Sequence, residues 1–131
     1  MVRRRTGPGL ATGFTLIELL VVMAIIATLL TIAVPRYFKS VEHSKEAVLR
    51  QDLNTMRDAI DKYYGDRGRY PDTLEDLATR KYLRSIPSDP ITGSAGTWVV
   101  IPPEDPSQGG VYDVKSGAPG KGRDGTPFSE W

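Results

Sequence analysis

From Leu16 to Val34 every residue is apolar except Thr28, Thr31 and a single acid, Glu18. As a helix rising about 1.5 Å per residue, this run is roughly 28 Å long, close to the roughly 30 Å of bilayer hydrocarbon. A transmembrane helix is therefore expected. Arg3, Arg4 and Arg5 stand ahead of it, followed by the helix-poor stretch Thr6 to Gly13 with no acid. The positive-inside rule keeps those arginines cytoplasmic while the remainder crosses, N-terminus in and C-terminus out. A secretory signal also begins with a basic region, but it needs a shorter apolar core and an A-x-A-like site, and none follows Val34.

Glu18 is the conspicuous residue of this run. A carboxylate in hydrocarbon is costly unless it is paired, so it calls for a cation at the same depth. If the leader were removed after Gly13, a new amine would appear at Phe14, one helical turn from Glu18, and the amine of an adjacent copy is one candidate partner. The alternative places Glu18 at the headgroup boundary. Pro35 closes the run; it lacks an N–H and collides with the carbonyl of Thr31, so the helix should kink around Thr31 to Val34 or simply end there.

These residues carry a family resemblance. Gly13-Phe14-Thr15-Leu16-Ile17-Glu18, the basic leader and the apolar helix reaching Pro35 resemble the class III signal of type IV pilins and type II secretion pseudopilins. The resemblance implies cleavage after Gly13 by a membrane prepilin peptidase, which also N-methylates Phe14, and use of the helix as a filament core. The family's glutamate that neutralises a neighbour's N-terminus falls on Glu18, and its helix-breaking proline on Pro35.

Beyond the membrane, Val41, Val48, Leu49, Leu53, Met56, Ile60 and Tyr63 recur at helical spacing between Arg36 and Tyr64 and predict one apolar stripe. Lys39, Glu42, Lys45, Glu46, Arg50, Asp52, Arg57, Asp58 and Lys62 lie opposite and read as a solvated face. His43, the sole histidine, sits on that polar side with no second metal-spaced ligand. Gly65 and Gly68 are expected to stop the helix. Asp72 with Glu75 has the spacing of a capping box ahead of a short helix through Leu74, Leu77 and Ala78. Tyr82, Leu83 and Ile86 should seat an extended linker held by Pro87 and Pro90. Thr97–Ile101 and Val111–Val114 predict two antiparallel strands packing through Trp98, Val100 and Tyr112. The Gly- and Pro-rich stretch Lys115 to Trp131 should cover the sheet, pinned by Phe128 or Trp131.

The expected fold class is α+β and type IV pilin-like: a long, kinked N-terminal helix, transmembrane in its first half, carrying a small head with a short helix and an antiparallel β-hairpin. The divisions are a cleaved leader (1–13), a membrane and filament-core helix (14–35), an amphipathic helix (36–64) and a periplasmic head (65–131). Arg69-Tyr70-Pro71, Tyr82-Leu83, Pro87-Ser88-Asp89-Pro90, Tyr112-Asp113, Ser116-Gly117, Asp124-Gly125 and Trp131 extend the resemblance to the major, G-type pseudopilins. Many of these bind calcium in the terminal loop, which points to Asp124 as first ligand and Asp113 as second. Calcium wants six to eight oxygens, however, and one or two acids beside Lys121 and Arg123 are poor provision. Asp124-Gly125 reads first as a turn.

The chain has 131 residues, a formal charge of +1 and no cysteine, which excludes disulfides, thiolate metal sites and cysteine catalysis and leaves no footprint for nucleic acid. No nucleophile–base pair or phosphate-binding glycine loop is present, so the expectation is a non-enzyme without a cofactor. The resemblance implies a homo-oligomeric pseudopilus subunit of the inner membrane with a periplasmic head. Its partners are minor pseudopilins, the prepilin peptidase and methyltransferase, and an inner-membrane assembly platform. A type IV pilin for adhesion, motility or DNA uptake, and a monomeric membrane-anchored binding domain, are the alternatives.

Overall fold

The computed structural model describes residues 13–131; Arg3, Arg4 and Arg5 of the expected leader lie outside the described residues. The chain divides between Lys39 and Ser40 into two compact units. A single helix, α1 (Leu16–Arg67), supplies the first unit and enters the second. Thr15 starts it as N-cap: its Oγ1 accepts the Glu18 N–H at 3.1 Å and its carbonyl accepts the Leu19 N–H at 3.1 Å. Thr28 and Thr31 donate their hydroxyls back to the carbonyls of Ala24 and Ala27, each at 2.8 Å, so both polar groups are satisfied within the helix. Pro35 lies inside α1, which sets aside the reading of it as a helix boundary.

From Phe14 to Phe38 the apolar side chains of this unit are all exposed. Over its most apolar 18-residue window α1 has a mean hydropathy of 2.7 with none of it buried, and it is the one helix among the described residues long and apolar enough to cross a membrane.

The second unit is built on the rest of α1. Leu49, Leu53, Met56, Ala59, Ile60 and Tyr63 form its buried stripe. Val48, expected in that stripe, is 49% exposed, because a residue about 100° of helical turn before Leu49 falls outside the buried arc. Ala59 takes a place there instead. The helix also runs past Tyr64 to Arg67: Gly65 is carried within it, and the stop comes at Gly68, whose φ of +68° suits glycine and whose N–H closes onto the Tyr64 carbonyl at 2.8 Å.

A short helix, α2 (Leu74–Thr79), lays Leu74 and Leu77 on the stripe. Its cap lies one residue later than the sequence spacing suggested. The Asp76 carboxylate accepts the N–H groups of Asp72 and Thr73 at 3.1 and 3.2 Å, and Glu75 takes no part. Leu83 is buried beyond it, while Tyr82 and Ile86 pack partly buried against the same core.

Strands β1 (Trp98–Ile101) and β2 (Asp113–Ser116) form an antiparallel pair, with Trp98 opposite Ser116 and Ile101 opposite Asp113. The second strand thus begins two residues later than expected. Val111 is fully buried, but its N–H goes to the Pro71 carbonyl at 2.9 Å rather than into the ladder. Of the expected packing residues, Trp98 enters the core, whereas Val100 and Tyr112 remain 38% and 54% exposed; Val111 and Val114 fill the core in their place. Tyr112 instead meets Tyr70 edge-on, with ring centroids 5.3 Å apart.

The linker from α2 to β1 turns on Asp89, which is fully buried. Its carboxylate accepts the Ser116 hydroxyl at 2.6 Å and the Ile91 N–H at 2.8 Å, fixing the linker to β2. Trp98 donates its indole N–H to the Pro87 carbonyl at 2.8 Å. After β2 the chain closes a loop through the Lys121–Pro127 bridge, and a 3-10 turn, Phe128–Glu130, buries Phe128.

Candidate functional site

Two clusters of sequence-marked residues emerge, each within one unit. In the first, Gly13 and Phe14 precede the helix, Phe14 is 86% exposed, and nothing surrounds Gly13 within 4 Å of where a Cβ would stand. This is an accessible peptide bond next to a capped helix start. Glu18 occupies the first turn, where its negative charge is favoured by the helix dipole. The ion pairs among the described residues are Arg50–Asp124, Arg57–Asp113, Lys62–Asp58 and Arg69–Asp72, and Glu18 is in none of them. It is a carboxylate surrounded on the helix surface by exposed Leu16, Ile17, Leu19 and Leu20. Chemically, such a group can act as the acceptor for a cation arriving from outside this chain.

The second cluster gathers the terminal loop against α1. Arg57 donates Nε to Asp113 Oδ1 at 2.9 Å, and Nη2 to the Val114 carbonyl and the Trp131 main-chain oxygen at 3.0 and 2.7 Å. Arg50 donates to Asp124 Oδ2 at 3.3 Å, with its guanidinium 4.2 Å from the centroid of the Trp131 ring. Asp124 Oδ1 accepts the hydroxyl and the N–H of Thr126, at 2.6 and 3.0 Å. Those two bonds, and then Arg50, hold the Asp124 carboxyl below its ordinary range. Glu46 accepts the Arg123 N–H at 3.0 Å, and the Arg123 guanidinium lies 3.0 Å from His43 Nδ1.

Asp113, in β2, and Asp124, in the terminal loop, the acids the sequence singled out, are each turned to a different guanidinium of α1. Among the described residues no three of His, Cys, Asp or Glu gather to hold a metal ion. The residues present do not fit the oxygen-rich calcium shell that the resemblance implied. Several charges read as a solvated face, Glu46, Arg50 and Arg57, in fact hold the loop, as does His43's neighbour Arg123. Their signal was in the spacing: Arg50 and Arg57 stand seven apart and so share a helix face. No local pattern, though, reveals which distant loop lies on that face.

Residues 11–34 match the prokaryotic N-terminal methylation motif. The chain is 28% identical over 134 residues to the type II secretion system core protein G of Klebsiella michiganensis, covering 90% of this chain and 87% of that protein. It is 32% identical over 95 residues to the type II secretion system core protein G of Pseudomonas aeruginosa, covering 60% of this chain and 67% of that protein. Over 65 residues it is 35% identical to the type IV major pilin protein PilA of Myxococcus xanthus, covering 50% of this chain and 30% of that one. No solved structure matches it.

Proposed function

The chain belongs to the type II secretion system core protein G family, and from that premise we propose how its residues build a pseudopilus. It is cleaved after Gly13, methylated at the Phe14 amine by the prepilin peptidase and methyltransferase, and held as a single-pass protein of the inner membrane with its head in the periplasm. Extraction by the inner-membrane assembly platform then packs α1 against α1 of other copies and of minor pseudopilins. The Glu18 carboxylate takes the Phe14 amine of a neighbouring subunit.

One observation supports the reading: Glu18 is the sole acid of the outward-facing apolar run Leu16–Val34, in the first turn of a helix that begins just after the exposed Gly13–Phe14 bond. Moved into a helix-packed core, the acid is tolerated only if a cation joins it, and the only cation that cleavage creates at that depth is the new amine. Pro35, inside α1, removes one N–H from the ladder and leaves the Thr31 carbonyl free of its helical donor, which gives the packed helices a place to bend. The filament then does mechanical work on exported proteins, with no chemistry asked of the head.

The 35% identity over 65 residues to a type IV major pilin favours a second reading, a pilus subunit. The first test is intact-mass and N-terminal peptide analysis of the protein from its host's membranes, with and without the prepilin peptidase. A mature chain beginning at methylated Phe14 is expected. An uncut chain would leave a monomeric membrane-anchored domain and remove the basis for a filament of either kind.

A further inference from the structure

We propose that the terminal loop of this chain is closed by an arginine clamp in the place where a divalent cation would otherwise cross-link it, so that the head holds its fold without calcium. The proposal rests on the family reading only for the ion it replaces. The clamp itself lies wholly within residues 40–131.

A cation that stabilises a loop does so by drawing oxygens from separate chain segments to one point. Arg57 does this with hydrogen bonds. One guanidinium reaches the Asp113 carboxylate and the Val114 carbonyl of β2, and also the main-chain oxygen of Trp131 at the far side of the loop. Arg57 and Asp113 are about one-third exposed, so the pair is partly shielded from water. The planar fork suits such a task because its donors diverge at fixed angles, which an ammonium cannot reproduce.

Arg50, two helical turns earlier, makes the outer half of the clamp. It pairs with Asp124 and lies against the face of Trp131, whose indole N–H donates to Thr126 Oγ1 at 2.9 Å. Thr126 in turn bonds Asp124, closing a ring of contacts. Gly122 is part of the fit, since a Cβ there would come within 2.2 Å of the Trp131 ring. Phe128, buried, stacks edge-on to Trp131 with centroids 4.9 Å apart.

This arrangement uses three of the four carboxylate oxygens of the two acids. Asp113 Oδ1 accepts both Arg57 and the Val114 N–H, and both oxygens of Asp124 are engaged. A divalent ion entering the loop would have to break the bonds of Asp124 and would meet the positive charge of Arg50 and Arg57 beside both acids.

The test uses the full chain in detergent micelles. Thermal melting and protease cleavage of the loop are followed in a chelator and in excess calcium, alongside calorimetric titration with calcium alone. The wild type is expected to melt at the same temperature and resist protease equally in both, with no calcium binding. Arg57→Gln should lower the midpoint by about 5 °C or more, a loss of the order of 1 kcal/mol in a head of this size, and expose the loop. Calcium should not restore it, while Arg57→Lys should recover only part. If Arg57→Gln does not fold, Arg50→Gln tests the outer half, and should open the loop to protease while the core still melts cooperatively. Stoichiometric calcium binding, a wild-type midpoint that drops in chelator, or a loop that stays protected without either arginine would overturn the clamp. None of these readouts depends on cleavage after Gly13 or on filament formation, so a failed filament reading would leave them unchanged.

Discussion

Asp124 shows how much a single carboxyl can hold. Its charge is stabilised first by the Thr126 hydroxyl, then by the Thr126 N–H and Arg50, and these depress its pKa from the ordinary 3.8. A depressed acid contributes stability that is present above its unfolded pKa and lost as the pH falls through its folded value. Asp52 works in the opposite sense: burial, and then the charge of Asp89, raise its pKa, so acid relieves a cost there. Acidification should therefore open the terminal loop before it melts the core. The indole N–H resonance of Trp131, bonded to Thr126, should exchange faster as the pH drops below about 4, while that of Trp98, bonded to Pro87, stays protected. In Asp124→Asn the Trp131 transition should disappear; if it persists unchanged, another group governs the loop. The sequence marked Asp124 as a turn or ligand residue but gave no reason to expect Arg50 as its partner, 74 residues away. Asp89 is a similar case. In the sequence it stands out only through the resemblance, yet its buried bonds to Ser116 and Ile91 fasten the linker to β2.

At the scale of elements, what the sequence made legible was burial rather than pairing. The stripe of α1 was readable because helical spacing repeats over many turns, so one misplaced residue, Val48, does not hide it. Strand β2 was misplaced because Val111 is as apolar as any strand residue but spends its N–H on Pro71. The end of α1 was ambiguous for a related reason, since Gly65 and Gly68 carry the same letter and only one adopts a left-handed conformation. That difference can be measured. A Cβ at Gly65 meets nothing within 4 Å, so Gly65→Ala should stabilise the head by up to about 1 kcal/mol through helix propensity. Gly68→Ala should destabilise it by about 1 kcal/mol, because a side chain is strained at a φ of +68°. Equal effects of the two substitutions on the melting temperature would place the helix end elsewhere.

At the scale of the whole molecule, the chain joins an outward-facing apolar helix segment to a head that has already buried its own core. The two ends of the proposed contact, the Phe14 amine and the Glu18 carboxylate, belong to different subunits. Each copy therefore gives its acid to one neighbour and its amine to another. That is a heterologous contact, which generates an open filament when the rotation does not close. The motif behind this proposal was legible because it is a contiguous run of residues, independent of how the head folds. In that arrangement an acid lost from one copy would leave one buried amine unpaired in a neighbour, so each variant copy costs one contact. Glu18→Ala expressed alone should insert in the membrane, lose its leader and yield no sedimentable filaments. Expressed together with the wild type in increasing proportion, it should shorten the filaments, since each incorporated copy weakens one contact by the penalty of an unpaired buried charge, of the order of 3 kcal/mol. Electron microscopy of filament length against the measured fraction of variant, quantified by mass spectrometry, reads this directly. Filaments of undiminished length that contain the variant would show that the acid does not neutralise its neighbour and that helix packing alone sets the register.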